Sequence, residues 1–349
     1  MASILAGKRI MVTGACGTVG RELVRQILES HQGAELIGLD NNESELFFLE
    51  QEFAGFRQAH FFLADVRDVD KLARMMKEIQ IVFHAAAFKH VIVSERSPFE
   101  AVQTNIIGVQ NVITAAINSQ VERVIFTSSD KAVNPTSVMG TSKLMGERLI
   151  SAANSNIRGN GPVLASTRFG NVLGSRGSVI PIFREQIRRG GPVTLTDPGM
   201  TRFIMSIAHA VNLVIDTAGL ARGGEVFITK MPTIRIADLA RVMIEELAPR
   251  YGHNPRDIKI ETIGAKPGEK MYEELMSDEE TRRALELTRY FVVLPAYRPA
   301  HRPAGHEYEN LVAAQVSRPY NSALEQPLEK EALSGFLREN GLLSVEQER

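Results

Sequence analysis

Ser129-Asp130-Lys131 sets a hydroxyl, a carboxylate and an amine side by side, and a second amine follows at Lys143. Such a set can hold a substrate oxygen and move protons to and from it. The apolar run Val124-Ile125-Phe126 precedes it, and Thr127 and Ser128 lead into it. That is the pattern of a buried strand delivering its last residues to the carboxyl edge of a parallel sheet, where open α/β folds bind ligands. Lys143 lies four residues beyond Met139, one turn along the same helix face. The plain alternative is a solvated Asp-Lys turn with Met139 as helix packing. A lone pair would be read that way, but this one lies downstream of a nucleotide-binding glycine motif, which favours chemistry.

That motif is Gly14-Ala15-Cys16-Gly17-Thr18-Val19-Gly20, between the apolar run Arg9 to Thr13 and a helix pattern from Arg21 to Glu29. Leu23, Val24, Ile27 and Leu28 fall on one face of the helix. Glycines at that spacing let the backbone turn tightly and approach a pyrophosphate, with the helix N-terminus pointing its N–H groups at the anion. The second strand, Glu35 to Leu39, ends at Asp40, an acid placed to accept the adenosine ribose hydroxyls and repel a 2′-phosphate. No Arg or Lys follows within residues 41–45, so NAD is favoured over NADP. A helix-capping role is the alternative for Asp40.

The alternation continues with a third strand, Phe61 to Ala64, that leads to Asp65 near the adenine. A helix from Asp68 to Ile79 and a fourth strand, Ile81 to Ala87, follow. Ala85, Ala86 and Ala87 are small enough for close cofactor approach; Lys89 and His90 stand just beyond as candidate substrate contacts, His90 with no chemical role. One helix is expected from Pro98 to Ser119, with Asn105 in an apolar setting where it must find hydrogen-bond partners. A sixth strand, Val163 to Phe169, leads to the loop Gly170 to Ser178, whose amide, hydroxyl and guanidinium groups suit a phosphate-bearing ligand. Residues 297–319 are expected as an extended surface connection without metal-ligand spacing, before an amphipathic helix from Leu328 to Asn340.

The fold class predicted is α/β: a Rossmann-type doubly wound parallel sheet with a smaller C-terminal α/β substrate-binding lobe. The expected divisions are 1–170 for NAD binding (later segments free to return to it), 171–325 for the substrate lobe and 326–349 for a helix and tail. The 40 basic and 41 acidic residues nearly cancel, so no global field points to nucleic acid. The single Cys16 excludes an internal disulfide and fits the cytoplasm. Residues 1–8 are too short and polar for a signal peptide, and no apolar run approaches the ~20 residues needed to span a bilayer.

Taken together, Gly14-x-x-Gly17-x-x-Gly20, Asp40, Ser129-Asp130-Lys131 and Lys143 resemble the extended short-chain dehydrogenase/reductases. Residues 129–135, 85–91, 168–175, 200–203 and 267–270 narrow the resemblance to UDP-N-acetylglucosamine 4,6-dehydratases of polysaccharide and protein-glycan synthesis; it covers roughly residues 6–325. The resemblance implies cofactor contacts at Gly14, Gly17, Thr18, Val19, Gly20, Asp40, Asp65, Val66, Ala85, Ala86, Ala87, Asn105 and Lys143. It implies substrate contacts at Lys89, His90, Asn171, Ser175, Arg176, Arg202 and Glu269, and catalytic positions at Ser129, Asp130, Lys131, Met139 and Lys143.

The implied reaction is redox-neutral. NAD takes hydride from C4 of a UDP-sugar, a base removes the C5 proton as the 6-hydroxyl leaves, and hydride returns to C6. One departure matters: Met139 stands where most of the superfamily has tyrosine, so the usual base is absent. The subgroup with methionine there includes large membrane-anchored members, whose N-terminal membrane region this chain is expected to lack, and implies retention at C5. A homodimer through the helices at 98–119 and 137–153 is the superfamily's habit. An epimerase, or a non-catalytic NAD-binding regulator, are the rival readings.

Overall fold

The structure, a computed structural model, describes residues 4–157, 161–175, 178–264, 268–297 and 305–344. The chain forms two compact units. The first comprises Met1–Phe169, Ala208–Lys230 and Met276–Pro319; the second comprises Gly170–Ile207, Met231–Leu275 and Tyr320–Arg349. Segments 208–230 and 276–319 thus return to the first unit, and the C-terminal helix belongs to the second rather than forming a separate tail. Among the described residues, no helix is long and apolar enough to cross a membrane.

Strands without polar alternation require a sheet covered on both faces, and β1 (Arg9–Thr13) shows the sorting: Ile10 and Val12 enter one core, Met11 the other. β2 (Glu35–Asp40), β3 (Ala59–Leu63), β4 (Ile81–His84), β5 (Arg123–Thr127) and β6 (Val163–Arg168) complete the parallel half, in the order β3-β2-β1-β4-β5-β6. The order reverses direction at β1 and β4, the switch point at which such sheets bind ligands. Val226–Thr229 adds a parallel strand beside β6. Tyr290–Val293, Ala284–Leu287 and Leu311–Ala313 then extend the sheet antiparallel to ten strands. The fold is therefore Rossmann-like and mostly, not wholly, parallel.

Helices α1 (Thr18–Ser30), α2 (Glu43–Glu52) and α3 (Val69–Met75) connect the first strands. α1 buries Leu23, Val24, Ile27 and Leu28 against the sheet, each contributing roughly 1.5–3 kcal/mol of transfer free energy. A short helix, α4 (Val91–Arg96), precedes the helix expected over 98–119, which runs without a break as α5 (Pro98–Ala101), a π-helical turn (Val102–Ile107) and α6 (Gly108–Asn118). The π turn is where Asn105 points inward to bond Phe88 and Ser142, an irregularity that residue spacing does not encode. α7 (Val138–Asn156) follows β5, capped by Ser137, whose hydroxyl accepts from the Gly140 amide.

The expected surface connection at 297–319 is also corrected. Leu311–Ala313 is an edge strand, and Tyr308 is buried with its hydroxyl donating to Glu225, itself fully buried. A three-residue strand is too short to show periodicity. The second unit packs helices Val179–Arg188, Ile236–Leu247 and Lys330–Glu339 around a core that includes Phe183, Leu239 and Leu333. Its small sheets pair Asn171–Val172, Thr201–Met205 and Thr233–Arg235, and Val193–Leu195 with Ile260–Thr262.

Inside the first unit lies a buried ionic triad. Arg168, at the end of β6, is 1 % exposed and donates to both oxygens of Glu147 on α7, at 2.7 and 2.6 Å. It also donates to both oxygens of Glu280, at 2.9 and 2.8 Å. Glu280 is fixed by a capping box with Ser277. Burial works against its charge, yet Arg168 pushes its pKa down to about 2. Removing the shared cation strips both buried carboxylates of their bidentate partner and leaves Glu280 the more distant Arg283, at 3.9 Å, a loss of about 3–5 kcal/mol. Arg168→Met should therefore lower the unfolding free energy from urea melts by that amount; an unchanged value would show the triad to be dispensable.

Candidate functional site

The glycine loop is a cradle that side chains would fill. Gly14 has φ +72°, and a Cβ there would lie 2.6 Å from the Ala86 amide nitrogen; one at Gly20 would lie 2.0 Å from the Gly14 carbonyl oxygen. Gly17 is the N-cap of α1 and offers no side chain to its first turn, which opens with Thr18, Val19 and Gly20. That leaves the helix N-terminus suited to an anion. Asp40 is not a helix cap: Asn42 caps α2, and Asp40 accepts from the Cys16 and Asn42 amides at 2.9 and 3.0 Å. Its carboxylate thus stands beside the glycine loop at the end of β2. Burial, then the charge of Asp40, pushes the Cys16 thiol up to about 12, which keeps it protonated and inert.

Asp65 and Val66 follow β3. Asp65 holds Arg67 at 2.7 Å and is held below the usual carboxylate range chiefly by that side-chain bond. Arg67 also reaches Glu100. It is a cation near the second strand's end that a search of residues 41–45 could not find, and both its carboxylate partners are acids of the first unit. The Val66 carbonyl accepts from Asn111. On β4 and its loop, the Ala85 amide donates to the Thr13 carbonyl and Ala86 lies against Gly14. Asn105 spends both amide N–H donors on the Phe88 carbonyl and the Ser142 hydroxyl, so it shapes the backbone there instead of reaching a cofactor directly. Phe88, Lys89 and His90 are exposed.

After β5 the chain makes one 3₁₀ turn, Asp130–Ala132, tied to the end of β6 by the Ser128 and Asp130 amides. Asp130 is 3 % exposed. Its Oδ1 accepts from the Ser129 hydroxyl, and both oxygens lie 3.1 Å from Lys131 Nζ. The Lys131 side chain is 36 % exposed, so its amine reaches the surface of the site. A Cβ on Gly140 would lie 2.3 Å from the Lys131 carbonyl oxygen, so α7 packs directly on this turn. Met139 is buried on α7.

Lys143, buried on the same helix, donates to the Thr127 carbonyl at 2.9 Å and lies 4.8 Å above the Phe126 ring. Burial pulls its pKa down to about 8, opposed by the charge of Glu147. His84 is also buried; its Nδ1 is 2.7 Å from the Thr13 hydroxyl, and burial, then Lys143, pushes it down to about 3, so it is neutral. Among the described residues, His84 Nε2 and Ser128 Oγ have no hydrogen-bond partner, which marks polar capacity left at the strand ends. The glycine cradle, Asp40, the orphaned polar atoms and the buried lysine together fit a dinucleotide.

In the second unit, Asn171 opens a two-residue strand paired with Ile204, and Ser175 accepts from the Ser178 amide. Arg176 and Pro267 lie outside the described residues. Arg202, expected to contact substrate, turns its donors inward. They reach the carbonyls of Thr201, Lys270 and Met271 and pair with Glu273 at 3.3 Å, so it clamps the 269–273 loop. Glu269 stands 3.9 Å from Arg202 and accepts from Thr196.

Sequence reading missed the roles of His84, Glu147, Arg168 and Glu280. The position of Glu147, one turn beyond Lys143, was a usable signal; nothing local pointed to Glu280.

A family model described as polysaccharide biosynthesis protein matches residues 10–295. The chain is 48% identical over 332 residues to an uncharacterized membrane protein, MJ1061, of Methanocaldococcus jannaschii, across 95% of this chain and 96% of that one. It is 44% identical to the probable polysaccharide biosynthesis protein EpsC of Bacillus subtilis over 79% of its own length, and spans 46% of EpsC. A Campylobacter jejuni protein named UDP-N-acetylglucosamine 4,6-dehydratase (inverting) is 38% identical over 292 residues, 83% of this chain and 84% of that one. Among solved structures, Pen from Bacillus thuringiensis superposes with a TM-score of 0.89 at 39% identity, over 98% of this chain and 100% of Pen.

The buried Lys143 has a stability signature. An ordinary lysine titrates at 10.5, and this one at about 8, so between those values the unfolded chain binds a proton that the folded chain does not, and stability rises with pH. Below pH 8 the full penalty, roughly 3 kcal/mol, is present. Lys143→Met should therefore be more stable than the wild type at pH 7 in denaturant melts without cofactor. The difference should close between pH 8 and 10.5; a constant difference across that range would place the effect in packing alone.

Proposed function

The chain belongs to the polysaccharide biosynthesis protein family within the extended short-chain dehydrogenase/reductases, and on that premise we propose that it catalyses the NAD-dependent 4,6-dehydration of a UDP-N-acetylhexosamine. UDP-N-acetylglucosamine is the substrate we assign, and the 4-keto-6-deoxy sugar, with C5 configuration retained, the product. The observation that carries the reading is the Ser129–Asp130–Lys131 constellation, an acid bonded to both a hydroxyl and an amine, with methionine at position 139. Structures of the same fold have been solved with NAD bound. Here Gly14, Gly17 and Gly20 would admit the pyrophosphate, Asp40 the adenosine ribose and Lys143 the nicotinamide ribose.

NAD, when bound, supplies the hydride acceptor for C4 and the donor for C6. The chain's own residues move the protons. Ser129 holds the 4-oxygen, and its hydroxyl already points to Asp130, so the 4-hydroxyl proton has a path to that carboxylate. Before this step the negative Asp130 favours the ammonium form of Lys131. Once Asp130 is protonated that support is gone, and the partly exposed Lys131 can release a proton to water. Neutral Lys131 then takes the C5 proton while protonated Asp130 gives its proton to the departing 6-hydroxyl. The 4-hydroxyl proton and the 6-hydroxyl leave as one water, and Lys131 returns its proton to C5. Oxidation at C4 thus sets both groups in the states that elimination needs. A buried thioether at Met139 can take no part in these transfers.

Relatives named UDP-glucose 4-epimerase match at similar identity, and an epimerase would lose no water. Incubation with UDP-N-acetylglucosamine should give a product lighter by one water, without net NADH, and deuterium placed at C4 should appear at C6. An unchanged mass with an inverted C4 would establish the epimerase instead. Asp130→Asn should abolish even the first hydride transfer, seen as no NADH absorbance on adding substrate. Lys131→Ala should still permit that absorbance but stop exchange of the C5 proton with solvent. NADH formation by Asp130→Asn at the wild-type rate would assign the 4-hydroxyl proton to another group.

A further inference from the structure

An arginine beside a glycine loop is an ordinary partner for a phosphate. Arg21 stands directly after Gly20 in α1, its amide bonded to the Gly17 carbonyl at 2.8 Å. Its guanidinium, however, is engaged on α2, 2.9 Å from Glu52 and 3.5 Å from Glu45. Those two acids are seven residues apart on one helix, two turns along the same face, and hold the arginine between them.

The ring of contacts closes at Asp40. Its carboxylate accepts from the Cys16 amide in the glycine loop and from the Asn42 amide. The Asn42 side chain accepts in turn from the Glu45 amide at 3.1 Å, so the first turn of α2 hangs from the carboxylate that ends β2. Besides burial, the charges acting on the Cys16 thiol are those of Asp40, Arg21 and Glu45, which sets all three around one point of the loop. On the other side of Asp40, Asn41 donates to Asp65 at 3.3 Å. Asp65 and Glu100 hold Arg67 between them, at 2.7 and 3.1 Å. Each arginine linked to this strand end is thus shared by two carboxylates, whereas a site for a 2′-phosphate needs an arginine with its donors uncommitted.

We propose that Glu45 and Glu52 are specificity-determining residues for the cofactor: they hold Arg21 on α2 and so deny the 2′-phosphate of NADP the cation that follows the glycine motif. The inference rests on the reading above, in which Asp40 meets the adenosine ribose. Asp40 by itself repels a 2′-phosphate, but an arginine free to swing a few ångströms would offset that repulsion. One carboxylate is enough to neutralise an arginine. Two, placed two turns apart on one helix, also fix where it lies. With Asp40 they set three carboxylates against one guanidinium, so the repulsion stands.

The test compares dissociation constants for NAD and NADP, measured by calorimetry on purified protein freed of cofactor and without substrate. The double variant Glu45→Gln, Glu52→Gln keeps the shape of α2 and releases Arg21. Its ratio of Kd for NADP to Kd for NAD should fall about fivefold from the wild-type value, the scale of one exposed charge pair. Adding Arg21→Gln to the double variant should undo most of that gain, because the phosphate then has no cation to meet. Both acids are partly exposed, at 29 and 41 %, so their replacement leaves the core intact. Should the double variant still be too unstable to titrate, Glu52→Gln alone, which removes the shorter contact, should move the ratio in the same direction. An unchanged ratio in whichever variant is titrated overturns the proposal. So does a gain that survives the loss of Arg21, which would assign the discrimination to repulsion by the two acids. Because the readout is a change from the wild-type ratio, a wild type that already prefers NADP would overturn the reading of Asp40 and leave the Arg21 comparison standing.

Discussion

Arg168 is the residue on which three distant stretches of the first unit converge. It ends β6, bonds Glu147 on α7 and bonds Glu280 in the segment that returns after the chain has built most of its second unit. The geometry is bidentate toward both carboxylates, the arrangement in which a guanidinium recovers most of the cost of its own burial. A buried ion set of this kind is weak evidence for stability, since apolar residues of like volume often do as well. In this register of α7 on β6 the guanidinium meets both oxygens of Glu147 as well as both of Glu280. Fixing that register fixes the height at which Lys143 meets the end of β5.

Close backbone approach is the second constraint, and it works through missing side chains. Gly14 against Ala86 joins the first loop to the fourth, and Gly140 against the Lys131 carbonyl joins α7 to the 3₁₀ turn after β5. At each contact a methyl group would force strand ends apart by an ångström or more. The strand order 3-2-1-4-5-6 opens a crevice at β1 and β4, and these small residues set its depth. Asn105 acts on the same region from the side. Its π turn gives the helix one residue more than the regular repeat, enough to turn the amide under Phe88.

Parts of this arrangement were legible in the residues themselves. The first six strands and α1 follow from apolar runs punctuated by glycine and from a clean 3.6-residue stripe, because local pattern and burial agree there. Ser129, Asp130 and Lys131 stood out as candidates because they follow a strand, and Lys143 because it lies one helix turn beyond Met139. What stayed hidden depends on partners far away in sequence. Arg168 reads only as part of a strand until Glu280 is beside it, and Arg202 as a substrate contact until the carbonyls of residues 270 and 271 take its donors. Asn105 reads as a cofactor ligand until Phe88 and Ser142 use both its N–H groups. A side chain's chemistry is written locally, but whether its donors are already committed is not. The edge strand at Leu311–Ala313 escaped for a different reason: three residues are too few to carry a period.

The loss of a tyrosine follows from the same logic of committed groups. A tyrosine beside a lysine works by having its phenol acidified, so it needs the lysine's charge within reach. With Met139 in that place, nothing at the position titrates, and in the proposed reaction the charge of Lys143 serves binding alone. In the proposed dehydration, proton transfer falls to Asp130, buried and bonded to a hydroxyl, and Lys131, bonded to the same carboxylate but open to water. Two groups in direct contact cannot change protonation independently. Coupling that would hamper a simple dehydrogenase suits a reaction in which an acid and a base are needed only after an oxidation has occurred, since the first proton taken by Asp130 prepares both.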